Sequence, residues 1–155
     1  MDILPIHYTE LLPLKDALGL VRDVFWEFNA PGYTDEGVWE FDSFIEQDSI
    51  AGAMQEGRLL LWGAYAPALV GVLAVRPPCH VSLMFVAKAH HRQGVAKALF
   101  GNMVQQFRAA GFRGEVTVHS SPYAVEAYRR MGFAPMGPAQ TQNGIRFVPM
   151  RYPLR

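Results

Sequence analysis

An uncharged run of 17 residues, from Leu59 to Val75, limits the fold more than any other feature of this sequence. As a helix the run would be about 25 Å long at 1.5 Å per residue, which is short of the roughly 30 Å core of a bilayer. Two glycines and a proline also interrupt it. We therefore predict two buried strands, 59–65 and 69–75, that turn at residues 66–68. No membrane segment is expected, and the first residues lack the basic and apolar regions of a secretory signal.

The rest of the sequence reads as helices and strands of a single domain, residues 1–155. This length is close to the roughly 150 residues of a typical domain. An apolar content of 50% supplies one core and excludes a disordered or low-complexity chain. The predicted order is β-α-α-β-β-β-α-β-α-β-β. Besides the two buried strands, the predicted strands are 3–8, 80–86, 115–119, 136–140 and 146–152, and the predicted helices are 13–28, 35–46, 94–110 and 122–131.

A net charge of zero conceals a strong segregation of charge along the chain. Residues 1–56 hold twelve acids and two bases, whereas residues 57–114 hold seven bases and no acid. This pattern predicts a cationic half that receives an anionic ligand and an acidic half that faces something else. Alternatively, the acids only solvate two surface helices. The seven bases are spread over a mostly buried segment and do not form a continuous basic surface for nucleic acid, so no nucleic-acid partner is expected.

Cysteine and histidine usage argues against a metal or disulfide framework. Cys79 is the only cysteine, which excludes an internal disulfide and a zinc site built from several thiolates. A reducing, cytosolic setting fits this usage. His90 and His91 are adjacent and would point in different directions, and no third ligand accompanies them. We therefore expect no metal.

The segment most informative about function joins the predicted strand 80–86 to the predicted helix 94–110. The loop between them is basic, and two small residues, Gly94 and Ala96, lie at the start of the helix. Free backbone N–H groups and the positive end of the helix dipole bind phosphate, and small residues allow close approach. A phosphate site is therefore expected here. The lysine-bearing loop of nucleotide triphosphatases and the Gly-x-Gly-x-x-Gly motif are both absent.

Two motifs resemble those of the GCN5-related N-acetyltransferase (GNAT) superfamily. Residues 91–96 resemble its pyrophosphate motif, Arg/Gln-x-x-Gly-x-Gly/Ala, with His91 at the first position. Residues 121–133 resemble its Asn-x-x-Ala-x-x-x-Tyr-x-x-x-Gly-Phe signature, with Ser121 in place of Asn. Within the superfamily, the chain looks like a bacterial group of small acetyltransferases with unassigned substrates. The implied fold is α/β (α+β), with a mixed, mostly antiparallel sheet of about seven strands, four helices and splayed strands at the CoA site.

The resemblance implies that acetyl-CoA is the cosubstrate and that the basic segment meets its negative charges. Its pyrophosphate would lie on the amides of the helix start, and its pantetheine arm would pair with the strand that ends at Val86. A backbone N–H near Val86 would hold the oxyanion of the tetrahedral intermediate. The residues implied to bind acetyl-CoA are Phe85, Val86, His91, Arg92, Gln93, Gly94, Val95, Ala96, Lys97 and Ser121.

Tyr128 matches the tyrosine of the second motif, which implies a hydrogen bond to the leaving thiolate. A thiol has a pKa of about 8.5 and a tyrosine about 10, so complete proton transfer would be uphill by roughly 2 kcal/mol. Tyr128 is thus better described as a hydrogen-bond donor that can pass its proton over. Helical spacing alone would instead place it in an ordinary core stripe.

A base is also required, because an alkylammonium has a pKa near 10 and only about one molecule in a thousand is neutral at pH 7. Many family members carry a glutamate on the strand before the loop, but this sequence has none there. His119, at the end of a strand beside the expected cleft, is the first candidate, since the ordinary pKa of histidine near 6.5 suits the task. Further candidates are His80, Glu27 and Glu56.

The acceptor is expected to be a cationic amine, because residues 1–56 are strongly acidic. Such amines include a polyamine, an aminoglycoside-like amine or a basic peptide end. Trp26, Tyr33 and Trp39 lie where the superfamily usually forms its acceptor pocket, although core packing or a dimer contact fits them equally well. Dimers are common in the superfamily, so a homodimer is one expectation. A non-catalytic acyl-CoA sensor with the same fold is the alternative function.

Overall fold

A computed structural model describes residues 1–154, which form one sheet with helices on both faces. The sheet has eight strands: β1 (Asp2–Ile6), β2 (Leu60–Tyr65), β3 (Leu69–Arg76), β4 (His80–Val86), β5 (Glu115–Ser120), β6 (Ala134–Pro135), β7 (Gln140–Gln142) and β8 (Ile145–Pro153). The five α-helices are α1 (Leu11–Val24), α2 (Asp35–Phe44), α3 (Gln47–Gln55), α4 (Val95–Ala109) and α5 (Val125–Met131). The strand order is β1-β2-β3-β4-β5-β8-β6, and β7 pairs with β8.

The uncharged run forms the centre of the sheet, as predicted. β2 and β3 pair antiparallel, and almost every residue of the two strands is buried. Strands buried on both faces need apolar side chains at successive positions rather than in alternation. None of the helices described between residues 1 and 154 is long and apolar enough to cross a membrane.

Two apolar layers cover the two faces of the sheet. One layer contains α1 and α3 packed against Leu61, Val72 and Leu83 of the central strands. α1 reaches this layer through a single stripe of buried residues: Leu14, Ala17, Leu18, Val21 and Val24. The other layer contains α4 and Tyr128 of α5, packed against Leu73, Val116 and Val118. Both apolar layers therefore pack on the central strands of the sheet, which border the candidate site.

The parallel pair β4–β5 is the one place in the described sheet where neighbouring strands separate. Its register joins only His80 to Thr117 and Val81 to Val118, whereas β3 and β4 stay paired up to Val86. The edge of β4 that faces β5 is consequently unpaired from Ser82 to Val86. The splayed strands that the sequence predicted are confirmed.

Some predicted boundaries were wrong. The predicted helix 35–46 corresponds to α2, but a further helix, α3, follows after the backbone turns to an extended conformation at Glu46, so the described chain has five α-helices rather than four. The sheet has eight strands rather than about seven. The predicted strand 136–140 is replaced by β6 and β7, two short segments that both pair with β8. α1 also begins earlier than Pro13 and continues into a π-helical turn, Phe25–Asn29.

Candidate active site

The N-terminus of α4 opens beside the gap between β4 and β5. Gly94 precedes the helix with a φ of 82°, and no side chain caps the first turn. The N–H groups of that turn, from Val95 to Lys97, lack partners within the helix because no earlier carbonyl reaches them. A Cβ at Gly94 would meet no atom within 4 Å, so the space above the turn is open. Arg92, two residues earlier, also has a positive φ of 61°.

The two histidines of the basic loop have different surroundings. The Nε2 atom of His91 hydrogen-bonds to the carbonyl oxygen of Val86 at 2.7 Å, and its ring lies 5.0 Å from that of Phe28. The ring of His91 thus ties the loop to the end of β4. The Nδ1 atom of His90 is buried without a partner among residues 1–154, which leaves a polar atom in this loop for a ligand.

The predicted pantetheine-binding residues lie along the gap. Phe85 is 8% exposed and packs into the α1 layer, and its ring lies 5.8 Å from that of Phe41. Val86 is half-buried and packs toward the α4 layer. The side chains of Phe85 and Val86 therefore face opposite layers, while their backbone groups remain at the edge of β4. An uncapped helix turn, an open glycine and an unpaired strand edge fit a phosphorylated, amide-containing arm.

Tyr128 lies on α5 and is 7% exposed. Its ring contacts Phe133, with 5.3 Å between ring centroids. Burial raises the pKa of Tyr128 above its ordinary value, and the nearby Tyr123 hydroxyl raises it further. The phenol therefore keeps its proton at neutral pH and can donate a hydrogen bond.

Tyr123 links the two sides of the cleft, a role that the sequence did not predict. It lies in the short 3-10 turn Pro122–Ala124 between β5 and α5, and its hydroxyl donates to Oδ1 of Asn29 at 3.1 Å. Asn29 is the last residue of the π-helical turn after α1. Burial raises the pKa of Tyr123 as well. The position of Tyr123 inside the second motif was the only signal in the sequence.

Ser121 begins the same turn. Its carbonyl oxygen accepts hydrogen bonds from the N–H of Ala124 at 3.0 Å and from the hydroxyl of the buried Ser120 at 2.8 Å. These bonds fix the direction in which the chain leaves β5. Ser121 thus has a clear local role in shaping the end of the cleft.

His119 follows the last residue of β5 that pairs with β4. Its ring stacks on Phe147 of β8 at 4.2 Å and meets the ring of His80 edge-on at 4.8 Å. Burial, followed by the charge of Arg76, lowers the pKa of His119 below 6.5. Burial also lowers the pKa of His80 to about 4, and its Nδ1 atom lies 2.8 Å from Oγ1 of Thr117. Both imidazoles are therefore neutral at pH 7 and able to accept a proton.

The other candidate bases and the cysteine are less well placed. Glu27 pairs with Lys88 at 2.8 Å, and Glu56 pairs with Arg58 at 2.7 Å, both in exposed positions. Each of these two carboxylates is already occupied by a cationic side chain. Cys79 is buried, and burial raises the pKa of its thiol to about 12, so it is not a thiolate nucleophile.

The aromatic residues predicted near the acceptor line a cavity of about 510 Å³ between the end of α1 and α2. We call this cavity the indole pocket and define it by Trp26, Tyr33, Asp35, Trp39 and Asp42. Trp26 and Trp39 are 50% and 67% exposed, respectively. The indole N–H of Trp26 donates to Oδ1 of Asp42 at 3.2 Å. Trp26 and Trp39 thus line a cavity rather than the apolar core, whereas Tyr33 lines the cavity and also packs on the buried Phe25.

No cluster of three or more potential metal ligands occurs among the described residues. A second cavity, of about 660 Å³, lies between α1, the β2–β3 turn and the start of the basic loop at Lys88. It carries charges of both signs, including Lys15, Asp16 and Asp23. It therefore reaches the start of the basic loop from the α1 side.

The profile of one protein family, the acetyltransferase (GNAT) domain, matches residues 29–154. The chain belongs to the GNAT acetyltransferase family. As a family member it is an N-acetyltransferase that uses a thioester donor, and the resemblance inferred from the two motifs is confirmed. No protein of curated function matches the chain by sequence.

Several solved GNAT structures share this fold. A GCN5-related N-acetyltransferase from Rhodopseudomonas palustris is 15% identical, with a TM-score of 0.80 over 98% of this chain and 94% of the other. The PaiA N-acetyltransferase from Thermoplasma acidophilum, solved with coenzyme A, is 13% identical, with a TM-score of 0.77 over 99% of both chains. An aminoglycoside 6'-N-acetyltransferase, also solved with coenzyme A, is 13% identical, with a TM-score of 0.70 over 100% of this chain and 98% of the other. At these identities the likeness concerns the fold.

Proposed function

We propose that this GNAT protein transfers an acetyl group from acetyl-CoA to a primary amine. The observation that carries the proposal is the separation of β4 from β5 directly beside an uncapped helix N-terminus. Acetyl-CoA supplies an activated acyl group as a thioester. The coenzyme bound in two of the similar structures supports this donor. In this proposal residues 1–155 act as one domain.

The basic loop and the first turn of α4 bind the diphosphate through backbone N–H groups. Gly94 allows the ligand to approach the backbone, and the side chains of Arg92 and Lys97 add positive charge at exposed positions. His91 contributes by fixing the loop to Val86. The remaining proposed contacts of the donor are Phe85, Gln93, Val95, Ala96 and Ser121.

The unpaired edge of β4 orients the donor along the gap. Backbone groups of Phe85 and Val86 are free to pair with the amides of an extended arm in the way that a neighbouring strand would. A backbone N–H at this edge is also suited to the carbonyl oxygen on which negative charge develops. The reacting carbonyl is thus held where the strands begin to separate.

Tyr128 and His119 are the proposed catalytic residues. Tyr128 donates a hydrogen bond to the departing sulfur, because its raised pKa keeps the phenol protonated. His119 accepts the proton released by the amine, either directly or through water, because its lowered pKa keeps the imidazole neutral. The two residues approach the gap from opposite faces of the sheet, one on α5 and one on β5.

A free-thiol release assay over a panel of amines tests the proposal. Tyr128→Phe is expected to lower kcat by at least tenfold while the affinity for CoA, measured by calorimetry, stays unchanged. Tyr152→Phe is the matched control, since Tyr152 packs on the same Phe133 with 5.6 Å between ring centroids. Equal turnover of wild type and Tyr128→Phe would remove the role of Tyr128. Tight CoA binding without turnover on any amine would favour the acyl-CoA sensor.

A further inference from the structure

The indole pocket is the strongest feature of the structure that the proposed transfer reaction does not use. Soluble proteins usually place tryptophan in the core or give its indole a specific partner. Here two of the three tryptophans are at least half exposed, and both face the same cavity as Tyr33. Two carboxylates complete its lining. Such an arrangement of aromatic faces and negative charge is suited to a cation.

The charge of the pocket is not balanced within the described chain. Neither Asp35 nor Asp42 forms an ion pair among residues 1–154, where the four pairs involve other carboxylates. Asp35 lies in the first turn of α2, where a negative charge stabilises the helix. Asp42 lies in the last turn, where the same charge is unfavourable. Helix stability therefore explains Asp35 but not Asp42.

The pocket is connected to the reaction centre through Tyr123. The hydroxyl of Tyr123 donates to Oδ1 of Asn29 at 3.1 Å, and Asn29 directly precedes Ala30 in the wall of the pocket. The hydroxyl of Tyr123 in turn raises the pKa of Tyr128, so these two phenols lie close together. A ligand that extends from the cleft past Tyr123 would reach the indole rings.

We propose that the indole pocket binds an ammonium group of the acceptor other than the amine that is acetylated. This inference rests on the proposed amine acetylation and names its substrate class as diamines or longer polyamines. The ammonium is held over the faces of Trp26 and Trp39, and the carboxylate of Asp42 neutralises its charge. The amine at the other end of the acceptor enters the gap between β4 and β5.

A quaternary ammonium, which cannot be acetylated, tests the pocket separately from the reaction. Tetraethylammonium chloride is expected to change the tryptophan fluorescence of the wild type at ionic strengths where sodium chloride does not. The signal comes from the pocket, since the third tryptophan, Trp62, is only 5% exposed and lies in the other layer. Removing one ring in Trp39→Leu should weaken binding about two- to fivefold. An identical response to sodium chloride would overturn the proposal.

Acetylation kinetics test the substrate class. The wild type should prefer α,ω-diamines to monoamines of equal length, and Asp42→Asn should reduce that preference, measured as the ratio of kcat/KM for the two substrates, at least fivefold. Glu40→Gln is the matched control, because it removes the same charge from the same helix outside the pocket. Equal turnover of diamines and monoamines in all three proteins would overturn the inference and leave the proposed function intact. If no amine is acetylated but tetraethylammonium still binds in an Asp42-dependent manner, the proposed function fails and the cation site stands.

Discussion

Replacing Gly94 by alanine tests the physical basis of the donor site. The φ of 82° at Gly94 lies in the left-handed region, where a Cβ costs roughly 1–2 kcal/mol. Alanine also restricts the unfolded chain, which offsets part of that cost. We therefore expect a net loss of about 1 kcal/mol in the free energy of unfolding. No atom within 4 Å would clash with the new methyl group, so the loss arises from the backbone alone.

Gly101→Ala in the same helix is the control. Gly101 is an exposed interior residue of α4, and a Cβ there also meets nothing within 4 Å. Alanine at such a position stabilises a helix by roughly 0.5–1 kcal/mol. The two variants have the same composition, yet their free energies of unfolding should differ by about 2 kcal/mol. Urea or thermal denaturation measures this difference.

Calorimetry with CoA then separates folding from binding. The methyl group of Gly94→Ala would project into the open space that we assign to the diphosphate, so CoA affinity should fall by about tenfold or more, which corresponds to about 1.4 kcal/mol. Gly101→Ala should bind CoA as the wild type does. A folded Gly94→Ala that binds CoA with unchanged affinity would refute the placement of the diphosphate on this turn.

Three further predictions follow from the site. His119→Gln should lower kcat/KM by roughly 10²-fold or more, and at saturating amine the wild-type kcat should show a limb below pH 6.5, where the neutral imidazole becomes protonated; a limb near pH 4 would assign the base to His80 instead. Gly144→Ala should cost about 2 kcal/mol of stability by denaturation, because φ is 76° and the Cβ would meet the α2 N-terminus; Gly137→Ala, with open space around it, should be nearly neutral. Arg92→Gly should be about 1 kcal/mol more stable than Arg92→Ala, since the φ of 61° suits glycine, yet both should lose CoA affinity as measured by calorimetry.

Local patterns were sufficient to predict much of the fold. The uncharged run predicted buried strands, and the apolar stripe of α1 predicted a helix packed on a core. Apolar spacing is informative because it shows which face of an element is buried away from water. The turn at Asn143 and Gly144 was also predictable, since both residues tolerate the positive φ that a two-residue hairpin requires. The helix α3 was not predicted, because only two of its nine residues, Ile50 and Ala53, are buried, which leaves a weak apolar stripe.

The candidate site was only partly visible in the sequence. The basic loop and Tyr128 lie within contiguous motifs, so their residue types and spacing were informative. The contact from Tyr123 to Asn29 spans 94 residues, and no local pattern signals such a bond. The sequence also left open whether the three aromatic residues near α2 pack in the core or line a pocket. The exposure of Trp26 and Trp39 favours the pocket, whereas Tyr33 contacts both.

By itself, the sequence determined most of the elements, the segregation of charge and the two small residues at the start of α4, because each depends on neighbouring residues along the chain. Tertiary structure alone decided where β4 and β5 separate, how the rings of His119 and His80 meet, and which carboxylate faces Trp26. These features depend on the sheet register and on side chains brought together across the fold. The free energies of these contacts depend on burial and on the distances between side chains. Neither quantity can be read from the order of residues along the chain.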